Sequence, residues 1–479
     1  MRWAWLTTGL RPWLRSAAPV SLRIFLDRDG IVACMDTTPT FDGLDVSNAS
    51  GVVGRVEAEV AAVPRLRRPD RQQMTLEPCC LDERLPGDHP ARTIWEVSGR
   101  LDLSAFYAAI EARGESPGRA STDPRLLIAL WLFAATEGIG NGRKLARLCE
   151  EHDGYRWLCG GVSMNYHTLN DFRVGHEKAL DDLLTSVLAM LVHHDVVTVA
   201  RISQDGMRVR AGAGSASFRR RPRLEQRLIE ARAHVEVLKA QGDEEPGESA
   251  RRRAAQERAA RERLSRVESA LAEMTKLEEI KAQQRKDKPS TKNEPRASTT
   301  DPEARRMRMG GGGFEAAYNV QIATDTQSRA IVGIDVTNHG TDHGEDEPLR
   351  AQVEHRTGCK VQEHLLDGGY VKRESIERAA ENGTAIYAPL PPTGRGGSVC
   401  IVNSQDSPAV ATWRQRMQTE AGRATYKQRA ATSETVNADL KTFRGLGAFA
   451  VRGLKKVRCV ALWSALAYNI MHFSAVLIS

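Results

Sequence analysis

The period of the apolar positions changes along the chain, and each change marks a new kind of element. From about 71 to 195 apolar residues recur at helical spacing. In "DPRLLIALWLFAATEGIG", Asp123 offers a capping acceptor and Pro124 lacks the N–H that a first turn cannot use, so a helix is expected to start there. Its apolar run, Leu126 to Ala135, is too short for a bilayer and suits a buried helix. "NGRKLARLCEEH" predicts an amphipathic helix, with Leu145, Leu148 and Cys149 on one face and Arg143, Lys144 and Arg147 elsewhere. "SMNYHTLNDFRVGHEKALDDLLTSVLAMLV" predicts a third helix and a longer fourth.

At about 196 the period drops to two. "VVTVARISQDGMRVRAG" is β-branched and alternating, a strand that carries Asp205. Helical spacing returns in a charged insertion over 222–309. There Leu264, Val267, Leu271 and Met274 recur at 3-4-3 spacing, a short coiled-coil seam. With "GDEEPGES" as its turn, the insertion reads as an antiparallel helical hairpin, followed by a basic, polar stretch expected to be mobile. "AAYNVQIATDTQSRAIVGIDVTN" predicts two strands around a turn at Asp325 to Ser328. "CKVQEHLLDGGYVKRESIERAAENGTAIYAPLP" predicts a strand ending at Asp367, a helix from about Lys372 capped at Gly383, and a strand from Ala385 to Ala388, a βαβ unit. The chain is helical from about 408. The apolar stretch Val460 to Ile478 is broken by Asn469 and His472 and is expected to be a packed core helix, not a membrane span. Residues 1–70 fit no pattern and are left as an unassigned extension; "FLDRDG" (Phe25 to Gly30) resembles the nucleophile motif of haloacid-dehalogenase-like phosphatases, but that family's later motifs do not follow in order.

Composition adds three constraints. A length of 479 residues allows two or three domains, and 41% hydrophobic with 27% charged residues is a foldable, soluble balance. A net charge of +7 favours a polyanionic partner without proving one. Eight cysteines without a Cys-x-x-Cys do not make a disulfide scaffold or a structural zinc site; reduced thiols in a cytoplasmic protein are expected. Met1 to Val20 has arginines and tryptophans but no unbroken apolar core before a small-residue cleavage site, so a secretory signal is not expected there.

The candidate chemistry lies in carboxylates at strand ends. In open α/β sheets ligands bind beyond the carboxyl ends of parallel strands, where Asp367 stands. Gly368 and Gly369 remove side chains beside it, either to admit a substrate or metal, or simply to make a tight turn. Asp205 lies in an earlier strand and is also followed by a glycine. Two such acids side by side repel unless a cation lies between them, and Mg²⁺ or Mn²⁺ takes oxygen ligands of this kind. The third candidate is Glu434 in "YKQRAATSETVNADLKTFRGLG": Lys441 and Tyr426 fall near its helix face, and Arg429 lies further round. Upstream, Asn165, Tyr166, His167 and Arg173 are side chains of the kinds that contact bases and phosphates, on what reads as the last helix of a helix-turn-helix. The order acid on a first strand, hairpin, acid after a later parallel strand, acid on a C-terminal helix is the layout of a ribonuclease-H-like fold.

At these residues the chain resembles the DDE transposases of bacterial insertion sequences, in the group with a Tyr-Arg-Glu-Lys signature near the third acid. "LARLCEEHDGYRWLCGGVSMNYHTLNDFRV", "QDGMRVRA", "LLDGGY" and "YKQRAATSETVNADLK" carry the resemblance, which spans roughly 70 to 475. It implies an α/β ribonuclease-H-like catalytic domain over 196–479, with the helical insertion inside it. It also implies an all-α, helix-turn-helix-like DNA-binding domain over 71–195. By the match Asp205, Asp367 and Glu434 form the triad that holds two Mg²⁺ or Mn²⁺ ions, and Tyr426, Arg429 and Lys441 match the signature. The implied activity is cleavage at the ends of a mobile element and joining of the 3′-hydroxyls to target DNA, with no covalent protein–DNA intermediate. Double-stranded DNA is the implied partner, the chain acting as a homo-oligomer at the nucleoid in the cytoplasm, with no membrane. One departure stands out: Glu434 is five residues after Arg429, where the signature usually has four, and Ser433 fills the usual slot. Glu420 is the alternative acid. Other readings are a metal-dependent nuclease on the same fold, a transposase-derived DNA-binding protein without catalysis, and a scaffold assembled through the hairpin.

Overall fold

The computed structural model describes residues 24–27, 30–33, 80–111, 120–240, 249–284, 294–391 and 405–479. The chain divides into two compact units, Met1–Leu76 and Glu77–Ser479. Of the first, the described part is an antiparallel pair, β1 (Ile24–Asp27) and β2 (Gly30–Ala33).

The second unit begins with helices α1 (Pro90–Arg100), α2 (Ser104–Ala108), α3 (Pro124–Thr136), α4 (Gly142–Glu151), α5 (Asp153–Cys159), α6 (Tyr166–Gly175) and α7 (Glu177–His193). The α3 start is as expected from its sequence: Asp123 accepts from the Arg125 amide at 2.9 Å, Pro124 opens the helix, and Leu126 to Ala135 are all buried. Gly142 lets the start of α4 approach α6 closely, because a Cβ there would meet Asn170 Oδ1 at 2.3 Å.

The sheet then forms around β3 (Arg201–Arg210). The chain leaves through β4 (Phe218–Arg219) into α8 (Arg221–Ala240) and α9 (Ser249–Gln284), and returns through β5 (Ala297–Ser298), which pairs with β4. Ion pairs Arg221–Glu278 and Arg232–Glu268 join one helix, read forwards, to the other read backwards, so α8 and α9 are antiparallel. Val235, Ala260, Val267, Ala270 and Met274 are buried in this hairpin, while Leu264 and Leu271 are only partly covered. The turn expected at "GDEEPGES" lies mostly outside the described residues. The stretch expected to be mobile lies partly outside them too, but from 294 onward it is built into the fold. Asp301 is buried and accepts from Tyr318 Oη at 2.8 Å and from the Gly453 amide at 3.2 Å.

β6 (Arg305–Arg308), β7 (Phe314–Asp325), β8 (Ile331–Thr337), α10 (Asp346–Thr357), β9 (Glu363–Leu365), α11 (Arg373–Glu381) and β10 (Ala385–Tyr387) follow. The β7–β8 turn is closed by Asp325, whose carboxylate accepts from the Ser328 amide at 2.8 Å and hydroxyl at 2.7 Å. Strand order is β10–β9–β3–β7, with β6 and β8 both on the far edge of β7. β10, β9 and β3 are parallel, and the remaining pairs are antiparallel. The fold is thus a mixed α/β one, with helices around a curled mixed sheet.

Helices α12 (Pro408–Gln418) and α13 (Glu420–Arg429), a π-helical turn (Ala430–Glu434), α14 (Thr435–Thr442), α15 (Leu454–His472) and α16 (Ser474–Ile478) complete the chain. α15 packs on α3, α6, α7 and β8, so the boundary expected near 195 is bridged by core contacts. Its two polar interruptions have local roles. Buried Asn469 accepts from and donates to the Ile331 backbone, both at 2.9 Å, and satisfies the open edge of β8. The His472 ring stacks on Tyr468. Among the described residues no helix is long and apolar enough to cross a membrane.

Candidate active site

The register of β3 on β9 explains why two acids meet. Arg201 pairs with Glu363, Ile202 with His364 and Ser203 with Leu365. Asp205 and Asp367 each lie two residues beyond the last pair of this ladder, and their carboxylates come close enough to share one guanidinium. Ladder pairing between β3 and β9 stops at Ser203 and Leu365, which opens the crevice at the carboxyl end of β9. Asp367 caps its own turn: its Oδ1 accepts from the Gly369 amide at 2.6 Å, and a Cβ at Gly369 would approach that oxygen to 2.9 Å. The glycine therefore both makes the turn and leaves the carboxylate uncrowded.

A cation lies between the two acids, and it is an arginine. Arg429 Nη2 stands 3.2 Å from Asp205 Oδ1 and 3.7 Å from Asp367 Oδ2. Asp205 also accepts from the Gly206 amide at 3.1 Å and from Asn437 Nδ2 at 3.0 Å. Burial pushes the Asp205 carboxyl up to about 6; Arg429 pulls it down, and the Asp367 charge pushes it up again. Tyr426, one turn before Arg429, is half-buried, and burial raises its phenol, with Arg429 opposing and Asp367 and Asp205 reinforcing the rise.

The helix that carries Arg429 is widened by the π turn, which packs on β3 and β7. Arg429, Ser433 and Asn437, four residues apart, reach the middle of β3, where Ser433 Oγ meets Ser203 Oγ at 2.5 Å, both buried, and Gln428 accepts from Arg201 at the start of the strand at 2.8 Å. Glu434 is exposed, and its carboxylate makes no hydrogen bond or ion pair among the described residues. Lys441 is exposed as well, and Glu420 opens α13 away from these contacts. The structure therefore brings together Asp205, Asp367, Tyr426 and Arg429, but not Glu434 or Lys441.

Three further groups join the site. Asp342 Oδ1 accepts from Asn319 Nδ2 at 2.7 Å and Gln321 Nε2 at 2.8 Å. A Cβ at Gly206 would lie 2.3 Å from that oxygen, so the glycine after Asp205 makes room for a third acid from the loop after β8. Tyr370 is buried and donates to Gln321 Oε1 at 2.5 Å; burial, with the charges of Asp342, Asp205 and Asp367 around it, raises its phenol well above the ordinary value. Asn437 completes the set. The four-residue spacing Arg429–Ser433–Asn437 was the available sequence signal for it; Asp342 had none beyond the glycine at 206. Among the described residues no group of three or more Asp, Glu, His or Cys is already arranged to hold a metal ion. The donor set nonetheless fits a hard divalent cation. Two adjacent carboxylates already share a positive charge, and Asn437 Oδ1 is a buried oxygen with no partner.

In the helical segment, Asn165 caps α6 by accepting from the His167 amide at 2.9 Å. His167 is exposed and its ring lies tilted against Tyr166, whose ring carries the Arg143 guanidinium at 4.9 Å. Arg173 does not belong to this surface. It is 9% exposed, donates to the Gly140 carbonyl and lies 4.8 Å over the Trp131 ring, and burial lowers its guanidinium to about 10. A cavity of about 660 Å³ beside His176, Asp335 and Arg458 is lined by neither Asp205 nor Asp367.

Two models of known families match parts of the chain. Residues 79–174, which run from before α1 to near the end of α6, match the family model of a transposase domain (DUF772). Residues 394–473, which include Tyr426, Arg429 and Asn437, match the model described as the transposase DDE domain. No curated protein and no solved structure matches the chain. The two matches cover the helical segment and the C-terminal helices, and both models are of transposase domains. More particularly, the two matches support a DDE transposase of the insertion-sequence type.

Proposed function

We propose that this protein binds the ends of a mobile DNA element, cleaves the strands there and joins the 3′-hydroxyl ends to target DNA. The observation that carries this reading is the pair Asp205 and Asp367 just beyond the β3–β9 ladder, sharing Arg429 from a helix of the segment that matches the DDE domain. The layout supports a ribonuclease-H-like catalytic domain: acid on the first strand β3, hairpin β7–β8, then parallel strands β9 and β10 on the other side of β3.

Asp205 and Asp367 are the acids that hold divalent metal, two Mg²⁺ or Mn²⁺ ions in the full assembly, with Glu434 the third acid by resemblance to the Tyr-Arg-Glu-Lys group. When bound, such ions activate the attacking oxygen and stabilise the leaving oxygen of an in-line displacement. Tyr426 and Arg429 stand where they can orient a phosphate beside the two carboxylates. Lys441 is free on the surface to grip the DNA backbone. α4 to α6 form the helix-turn-helix-like reader, with Arg143, Asn165, Tyr166 and His167 toward double-stranded DNA. The protein acts as a homo-oligomer, since two element ends must be held together.

A strand-transfer assay tests the reading. Pre-cleaved ends from the gene's own flanks should be joined to plasmid DNA in the presence of Mg²⁺. Cutting without joining would instead support a nuclease, and site-specific binding without either would support a regulator.

A further inference from the structure

The β3–β9 ladder ends at Ser203 and Leu365, short of both acids. A side-chain path continues past that point. Tyr370, at the end of the Asp367 turn, is fully buried, and its Oη donates to Oε1 of Gln321 on β7. Gln321 pairs with Gly206 of β3, and its amide takes the space beside that glycine, where a Cβ would come within 2.7 Å of Nε2. We infer that Tyr370 is a positioning residue, whose hydroxyl tethers the Asp367 turn through Gln321 to β7 and so sets the spacing of Asp367 from Asp205. This inference rests on the reading of those two acids as a metal-holding pair.

The Gln321 amide is held one way round. Nε2 donates to Asp342 Oδ1 at 2.8 Å, and an ionised carboxylate only accepts, so Oε1 is kept toward Tyr370. Gln204 Nε2, on the strand between, donates to the same Oε1 at 3.0 Å and to the Glu345 carbonyl at 2.9 Å. Burial and the charges of Asp342, Asp205 and Asp367 keep the phenol protonated, so it stays a donor. The turn itself is tight: the Tyr370 amide donates to the Asp367 carbonyl at 3.3 Å, and the Gly369 amide to Asp367 Oδ1 at 2.6 Å. A shift of the Tyr370 ring is therefore passed to a carboxylate three residues away. Mg²⁺ demands near-ideal octahedral geometry, so a change in the spacing of two carboxylates is felt in affinity. A neutral hydrogen bond supplies this anchorage without adding charge beside the acids.

The test uses the full-length protein without DNA. Mn²⁺ affinity is read from the electron paramagnetic resonance of the free ion, and deuterium exchange is followed over 366–371, with folding checked by circular dichroism and urea unfolding. Y370F should keep the fold, weaken Mn²⁺ binding on the order of ten-fold, the scale seen when a group supporting a metal ligand is removed, and speed exchange in the turn several-fold. Q321L should also weaken binding, and the double variant should bind within about two-fold of Q321L, because both changes break one tether. Relative to Q321L the double variant should regain stability, since it buries no unpaired tyrosine hydroxyl, but regain no Mn²⁺ affinity. A bond that serves stability alone would leave the affinity of the folded protein untouched. Y370F binding within about two-fold of wild type overturns the inference, as does a double variant in which the two losses multiply. If D205N loses Mn²⁺ while Y370F keeps it, the metal-holding pair survives and only the tether fails. If wild type binds no Mn²⁺, the metal reading fails and exchange alone judges the tether: faster exchange in Y370F supports it, and unchanged exchange overturns it.

Discussion

Asp205→Asn should make the protein more stable at neutral pH while removing an acid the site needs. The Asp205 carboxyl is raised from 3.8 to about 6, first by burial and then by Asp367, against the pull of Arg429. Its side chain is 20% exposed, so solvent screens the effect little. A rise of roughly two units corresponds to about 3 kcal/mol at 1.36 kcal/mol per unit. A carboxyl with a raised pKa binds its proton more tightly in the folded state. Its contribution is therefore fully present below about pH 4 and is lost as pH climbs to about 6. Above that window wild type holds an ionised acid in a poor place, and the Asn variant does not. Arg429 would keep Asp367 as a partner, and the Asn437 amide can turn to suit the new side chain. Urea unfolding near neutral pH should show the variant more stable by up to about 3 kcal/mol, and the gap should close below about pH 4. Equal or lower stability of the variant at neutral pH would refute this account of the site's electrostatics.

Three further outcomes follow from the same geometry. Arg429→Gln removes the guanidinium that shares both acids, so Mn²⁺ should bind several-fold tighter in the absence of DNA; unchanged or weaker binding in a titration would show that Arg429 does not compete with the metal. Gly206→Ala places a methyl 2.3 Å from Asp342 Oδ1 and should cost about 1–3 kcal/mol in urea unfolding through overpacking and disturbed hydrogen bonds; a neutral substitution would mean that Asp342 can move aside freely. Arg173→Ala should lower the unfolding midpoint and leave the salt dependence of DNA binding unchanged, whereas Arg143→Ala should reduce that slope by about one; the reverse pattern would return Arg173 to the DNA surface.

Much of the local structure was legible because short-range chemistry decides it. Asp123 with Pro124, the alternation around Asp205, the Asp325 turn and the βαβ unit with Gly383 each follow from neighbouring residues. What stayed hidden depends on pairing across the chain. Nothing local states that Arg201 pairs with Glu363, and that register brings Asp205 to Asp367. The π turn lies between Tyr426 and Glu434, so straight-helix arithmetic does not relate those two; Ser433 meets Ser203 in the core, while Glu434 and Lys441 are both exposed. Arg173 was grouped with its polar neighbours by residue type, yet its helix face meets Trp131 and the Gly140 carbonyl in the core. Asp342 lies in a loop whose pattern says only that it is polar. Its role depends on the missing side chain at Gly206, more than a hundred residues earlier.

The most direct test of the central claim is Mg²⁺-dependent cleavage of a DNA fragment carrying this gene's own flanks, with wild type beside Asp367→Asn and DNA binding measured for both. The account predicts cutting at a defined boundary by wild type, loss of cutting in the variant, and equal binding by the two. Cleavage retained by Asp367→Asn would contradict the assignment of the Asp205–Asp367 pair as the catalytic centre.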